Sequence, residues 1–367
     1  MQPCLHRNVD GLPCPLVRTR KGLSMQSNSR TALILLEGLP GSGKSTLAHF
    51  LIRRLREQGI AAKWWYEEEI GHPLYIFHDA ASMQQVLDNL AAGNYRQVIT
   101  AALAKWRQLS QALQTSDTVV ILDSCLFGYL TWTLFPYDAP QQDIHAYLAE
   151  VARIIHDNDP CLVYLYQDDV TAALRKICAR RGGGTADRLI RNATESAYGK
   201  HHGLQGFSGM ASLWRDYRAV TDDAFARITI PKLAIENSAG DWVSYQRTVL
   251  QFLGLPDAAF IDSPVQHANR FAGEYYAQMV DAEASCIVLC ENGELLLDRL
   301  PLVWPRNRLV PIAQNAFAVE SLPFTVLFEE DAPGEVVRMI VTGSALFSGT
   351  VDNIFRKKEK RMKTSLV

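Results

Sequence analysis

A chain of 367 residues has room for two domains and a sizeable core. Its formal charge of −2 offers no overall attraction to nucleic acid or to a membrane surface, and no uninterrupted apolar run approaches the length of a membrane span. Seven cysteines, at 4, 14, 125, 161, 178, 286 and 290, form an odd, dispersed set without a C-x-x-C pair, which reads as reduced, mostly buried thiols in a cytoplasmic protein.

Residues 1–30 carry Pro3, Pro13, Pro15 and the scattered charges Arg7, Arg18, Arg20 and Lys21, without the apolar core of a signal peptide, and read as disordered. Met25 offers a second start, which would leave residues 1–24 outside the native protein.

The apolar run Ala32–Leu36 reads as a buried parallel strand, and Leu47, Phe50, Leu51 and Leu55 recur at helical spacing up to Gly59. Between them stands Gly38-Leu39-Pro40-Gly41-Ser42-Gly43-Lys44-Ser45-Thr46. Backbone amides can converge on a triphosphate only where the chain turns tightly and comes close, which Gly38, Gly41 and Gly43 permit. Lys44 then places a compact positive charge on the β and γ phosphates, the Ser45 hydroxyl ligates Mg²⁺, and the helix start adds its dipole. Gly38, Pro40, Gly41, Ser42, Gly43, Lys44, Ser45 and Thr46 are the expected nucleotide-binding residues.

Ile60–Tyr66 predicts a second strand, followed by Glu67-Glu68-Glu69 and Gly71-His72-Pro73, then helix from about Ser82 to Leu113 with a break at Gly93-Asn94. Thr118–Leu122 is a third buried strand ending on Asp123, an acid placed to reach a Mg²⁺ shell. Helix from about Asp143 to His156 leads into strand Cys161–Tyr166, and Asp168 or Asp169 caps a helix running to Arg181. Gly182-Gly183-Gly184 opens a stretch rich in Gly, Arg and His that extends to about Gly209; helix around Ser212–Phe225, strand Lys232–Ile235 and helix Asp241–Leu253 follow. Strands alternating with helices predict a parallel sheet covered on both faces.

After about Asp257 the helical period gives way to short strands at Ser285–Cys290, Glu294–Leu297, Asn315–Val319, Phe324–Phe328 and Val336–Val341, with Asn292-Gly293 a strong hairpin signal. The expected layout is an α/β domain over 31–254, a linker over 255–269, a small all-β domain over 270–350 and a basic tail over 351–367. Cys286 and Cys290 face one side of their strand, as core residues do.

Residues 31 to about 254 resemble P-loop kinases of the nucleoside and nucleotide kinase group, thymidylate-kinase-like proteins included. The resemblance rests on Glu37–Thr46, Leu122-Asp123-Ser124 and Leu174–Gly182. It implies an ATP- and Mg²⁺-dependent phosphotransferase: Lys44 and the glycine loop on the phosphates, Ser45 and Asp123 at the metal, and Arg175, Arg180 and Arg181 on a lid hinged at the glycine run. Arg188 and Arg191 are weaker lid candidates. A carboxylate just after the second strand, Glu67, Glu68 or Glu69, would assist a small-molecule acceptor of unknown identity. Trp64, Trp65, Tyr66, Phe127 and Trp132 are candidates to wall a planar acceptor, and His72 to touch it. Ser124 departs from the arginine common after the acid in these kinases. Residues 270 to about 345 resemble the small β domain appended to some serine β-lactamase-like hydrolases, through Phe271–Tyr276 and Asn292–Leu295, which implies packing, dimerisation or the shaping of substrate access. The alternative to a kinase is an ATP-hydrolysing switch module; a nucleic-acid-associated ATPase rests only on the basic tail Arg356–Lys363.

Overall fold

The computed structural model describes residues 33–257, 265, 267–278, 283–332, 334–347, 349–351 and 353–358. The expectations for residues 1–30, for Ala32, for most of the linker and for residues 359–367 lie outside them.

Five strands, β1 (Leu33–Glu37), β2 (Ala62–Trp65), β3 (Val119–Asp123), β4 (Pro160–Tyr166) and β5 (Lys232–Glu236), form a wholly parallel sheet in the order β2-β3-β1-β4-β5. Every residue of β1 and β3 is buried, as strands covered on both faces must be, and neither strand alternates in polarity. The connections run to opposite sides of β1, which makes its carboxyl end the switch point where an open α/β sheet forms its crevice.

The helices are α1 (Lys44–Glu57), α2 (Ala80–Ala91), α3 (Tyr95–Gln114), a wide π-helical turn over Leu126–Thr131 running into α4 (Trp132–Leu134), α5 (Gln141–Ile155), α6 (Val170–Arg181), α7 (Thr185–Thr194), α8 (Ala197–His201), α9 (Gly206–Arg227) and α10 (Trp242–Leu253). Asp169, not Asp168, caps α6 by accepting from the Ala172 amide. The Gly182–Gly209 stretch contains two helices its composition does not announce, α7 and α8, and α9 starts six residues before Ser212. Asp79 closes a capping box with Ser82 at α2. Among the described residues no helix is long and apolar enough to cross a membrane.

Beyond α10, eight antiparallel strands close a barrel: β6 (Gly273–Gln278), β7 (Glu283–Glu291), β8 (Glu294–Asp298), β9 (Asn307–Ala313), β10 (Ala316–Val319), β11 (Phe324–Ala332), β12 (Glu335–Gly343) and β13 (Asn353–Lys357). Phe271–Tyr276 leads into and forms much of β6; Asn292-Gly293, both at positive φ, turns β7 into β8 as a type I′ hairpin requires. Phe317, Phe328 and Phe355 are buried inside; each stabilises the fold by about 1.5–3 kcal/mol relative to exposure.

The basic tail expected over 351–367 is corrected at its start. Asn353–Lys357 is a barrel strand, paired to β12 on one side and β6 on the other. Phe355 is its only deeply buried residue, too weak a pattern among Arg356, Lys357 and Lys358 to read as a strand. The two units share one unbroken apolar core, which runs from α1 and α10 through Leu255 to Phe271 and the barrel interior.

Candidate functional site

Glu37 ends β1 and the chain turns at Gly38, whose φ of 148° and proximity to the Leu165 carbonyl leave no room for a Cβ. Gly43, at φ 90°, abuts the Trp242 ring and starts α1 without a side-chain cap, so the first amides of a fourteen-residue helix face the loop. Asn237, after β5, braces the loop by donating its amide to the Ser42 carbonyl.

These residues floor a cleft of about 670 Å³. All of Gly38, Pro40, Gly41, Ser42, Gly43, Lys44, Ser45 and Thr46 line it. Lys44 is buried and bends back so that Nζ donates to the Leu39 carbonyl, 3.2 Å away. Asp123 lies under the loop, fully buried; Oδ1 accepts from the Ser124 hydroxyl at 3.2 Å, and the Ser45 side chain is near enough to favour its charged form. Its Oδ2 has no partner, nor has the buried Ser42 Oγ. Burial, then the negative charge of Glu67, push the Asp123 carboxyl above its usual range, while Lys44 and the serine hydroxyls oppose the rise.

The three acids after β2 separate. Glu67 lines the cleft. Glu68 stands at the surface, and its carbonyl accepts from the Phe347 amide of the barrel at 3.1 Å. Glu69 is buried in a structural bridge, 3.0 Å from Lys63 Nζ and 2.8 Å from Ser344 Oγ.

The expected lid arginines separate too. Arg180 and Arg181 line the cleft, joined by Lys176 from the same helix. Arg175 does not: it is exposed and lies over the Phe207 ring, 5.5 Å from its centre. Arg188 is exposed, close enough to act on Glu68, and Arg191 does not line the cleft. Of the aromatic candidates, Phe127 and Trp132 line the cleft, with Trp132 stacked on Trp214 at 4.0 Å. Trp64 and Tyr66 are core residues, and Trp65 packs on His72. His72 is buried against Cys125 Sγ at 3.3 Å, a structural position.

Several lining residues escape a sequence reading. Trp304, Arg308, Glu320 and Ser321 come from the barrel, and no local pattern ties them to a glycine loop more than 250 residues away. Glu37 is the other omission. Its carboxylate accepts the amides of Leu126, Phe127 and Gly128 at 2.6, 3.0 and 3.2 Å, pinning the π-helical turn to the end of β1. Burial raises its carboxyl to about 7, against the pull of those amides. An acid ending a wholly apolar strand was the available signal.

Residues 17–124 match the family model described as Nephrocystin 3, N-terminal. No curated protein sequence matches the chain. Among solved structures, a thymidylate kinase from Candida albicans is similar at 16% identity over 60% of this chain and 92% of that chain, with a TM-score of 0.34.

Proposed function

We propose that this protein is an ATP- and Mg²⁺-dependent phosphotransferase that moves a γ phosphoryl group to a small-molecule acceptor. The observation that carries the reading is the unpartnered Oδ2 of the buried Asp123, beneath a glycine cradle and near the Ser45 side chain. A buried carboxylate oxygen without a partner is costly unless a cation completes it. Ser45 and Asp123 would hold Mg²⁺, whose charge offsets that of the phosphate oxygens when it is bound. Lys44 swings from Leu39 to the β and γ phosphates, and Arg180 and Arg181 neutralise the transferring group. Glu67, the acid of its trio that faces the cleft, takes the acceptor's proton. The wall of Phe127, Trp132, Trp214 and Tyr217 suits a planar acceptor.

The test is ATP consumption with Mg²⁺ against nucleosides, nucleoside monophosphates, sugars and aminoglycoside-like alcohols, with Lys44→Ala as control. One acceptor class should stimulate turnover, and the variant should lose at least about 100-fold; full activity in the variant would end the reading. A second reading, a slow ATPase that switches the barrel, draws on the contact between Arg181 and Trp304. Hydrolysis that no acceptor accelerates would favour it.

A further inference from the structure

The chemistry of the cleft gives it a direction. Lys44, Asp123 and Glu67 mark the end where the γ phosphate belongs. One helical step away the Thr46 hydroxyl is shared with the hydroxyl of Ser321, 2.7 Å apart, and Ser321 belongs to the turn between β10 and β11 of the barrel. The same cleft is also lined by Phe50 and Arg53 of α1 and by Arg308 and Glu320 of the barrel. Its volume exceeds what a chain of phosphates fills and lies in the range of a whole small-molecule ligand.

Ser321 is also held in an uncommon backbone state. It is buried at φ 66°, where glycine would sit without strain, yet the position carries a hydroxyl. Beside it, Glu320 accepts from Arg308 at 3.5 Å while Arg308 Nε donates to Glu294 at 3.1 Å, so a carboxylate and a guanidinium already oriented by neighbours both line the cleft. An acceptor and a fork of donors are what the edge of a nucleobase requires.

We propose that the barrel supplies the nucleoside end of the nucleotide site: Ser321 meets the ribose and α phosphate, and Glu320 with Arg308 meets the base. The proposal rests on the phosphotransferase reading, since it takes the phosphate loop to be loaded with a nucleotide. It makes the barrel part of the binding site and gives it the choice of base.

Calorimetric titration of the full chain with ATP and with inorganic tripolyphosphate, both with Mg²⁺, separates the two ends. Wild type should bind ATP more tightly than tripolyphosphate. Ser321→Gly removes the hydroxyl at a φ that glycine prefers, so the turn keeps its shape. It should weaken ATP about tenfold and leave tripolyphosphate within about twofold. Glu320→Gln, nearly isosteric, should change the ranking of ATP, GTP, CTP and UTP. ATP binding no tighter than tripolyphosphate in wild type would overturn the proposal, as would variants that leave ATP affinity and base ranking unchanged; in either case the phosphate cradle stands. If neither ligand binds wild type, the phosphotransferase reading falls and the proposal with it.

Discussion

The guanidinium of Arg181 lies over the Trp304 ring, 4.9 Å from its centre, so the last residue of α6 is docked on the barrel. A partly exposed cation on an indole contributes about 0.5–1 kcal/mol. Trp304→Ala should loosen the end of α6 by that amount, read as faster amide hydrogen exchange across Gly182–Gly184. A double-mutant cycle with Arg181→Ala isolates the pair. Exchange unchanged in Trp304→Ala would mean that the end of α6 is held elsewhere.

Glu37 satisfies three backbone amides from within the core. Truncation to alanine strands those donors, at about 1–3 kcal/mol for each one left unpaired. Glu37→Ala should therefore lower the urea midpoint by the equivalent of at least about 3 kcal/mol. Activity should fall with it, since Phe127 and Gly128 line the cleft. A variant of wild-type stability would show that water replaces the carboxylate.

Two glycines of similar φ make a controlled pair. Gly59, at 71°, has open space around a would-be Cβ, whereas at Gly43, at 90°, the Cβ would overlap the Trp242 ring. Gly59→Ala should cost only the left-handed strain, about 1–2 kcal/mol, and bind ATP normally. Gly43→Ala should displace the loop and weaken ATP binding by more than about tenfold. Equal affinities in a titration of both variants would refute the account of the loop.

His72 should make the protein sensitive to mild acid. Its Nδ1 accepts from the Leu74 amide, which places the proton of the neutral ring on Nε2, facing Cys125. Burial, and then the charge of Lys63, lower its pKa from 6.5 to about 3. The unfolded chain takes up the proton first, so stability present above pH 6.5 drains away as pH falls from 6.5 towards 3, by at most about 1.4 kcal/mol per pH unit. Replacement by asparagine should flatten that dependence in urea midpoints measured between pH 6.5 and 5. An unaltered slope would place its cause in other groups.

What the sequence disclosed follows from how local each signal is. The glycine loop, β1, β3 and the Asn292-Gly293 hairpin are written in neighbouring residues, and the parallel sheet followed by β strands was legible from them. Glu67, Glu68 and Glu69 look alike in sequence, and only packing divides them. Glu69 turns to Lys63 and Ser344, while Glu67 faces the cleft. Arg175 stands one helical turn and more before Arg180, enough to carry it to Phe207 instead of the cleft. The barrel's place in the site was beyond reach because Thr46 and Ser321 meet only through the tertiary fold.

The position of β13 bears on the order in which the molecule can be made. The parallel sheet is complete once Glu236 has left the ribosome, and the glycine loop gains its braces Asn237 and Trp242 soon after. Barrel closure waits for Asn353–Lys357, the strand that joins β12 to β6. Until then both neighbours expose unpaired amides and carbonyls, the template on which strands of other chains add. A protease cut or frameshift that removes this short segment would spare every residue of the cleft and still leave the protein prone to aggregate.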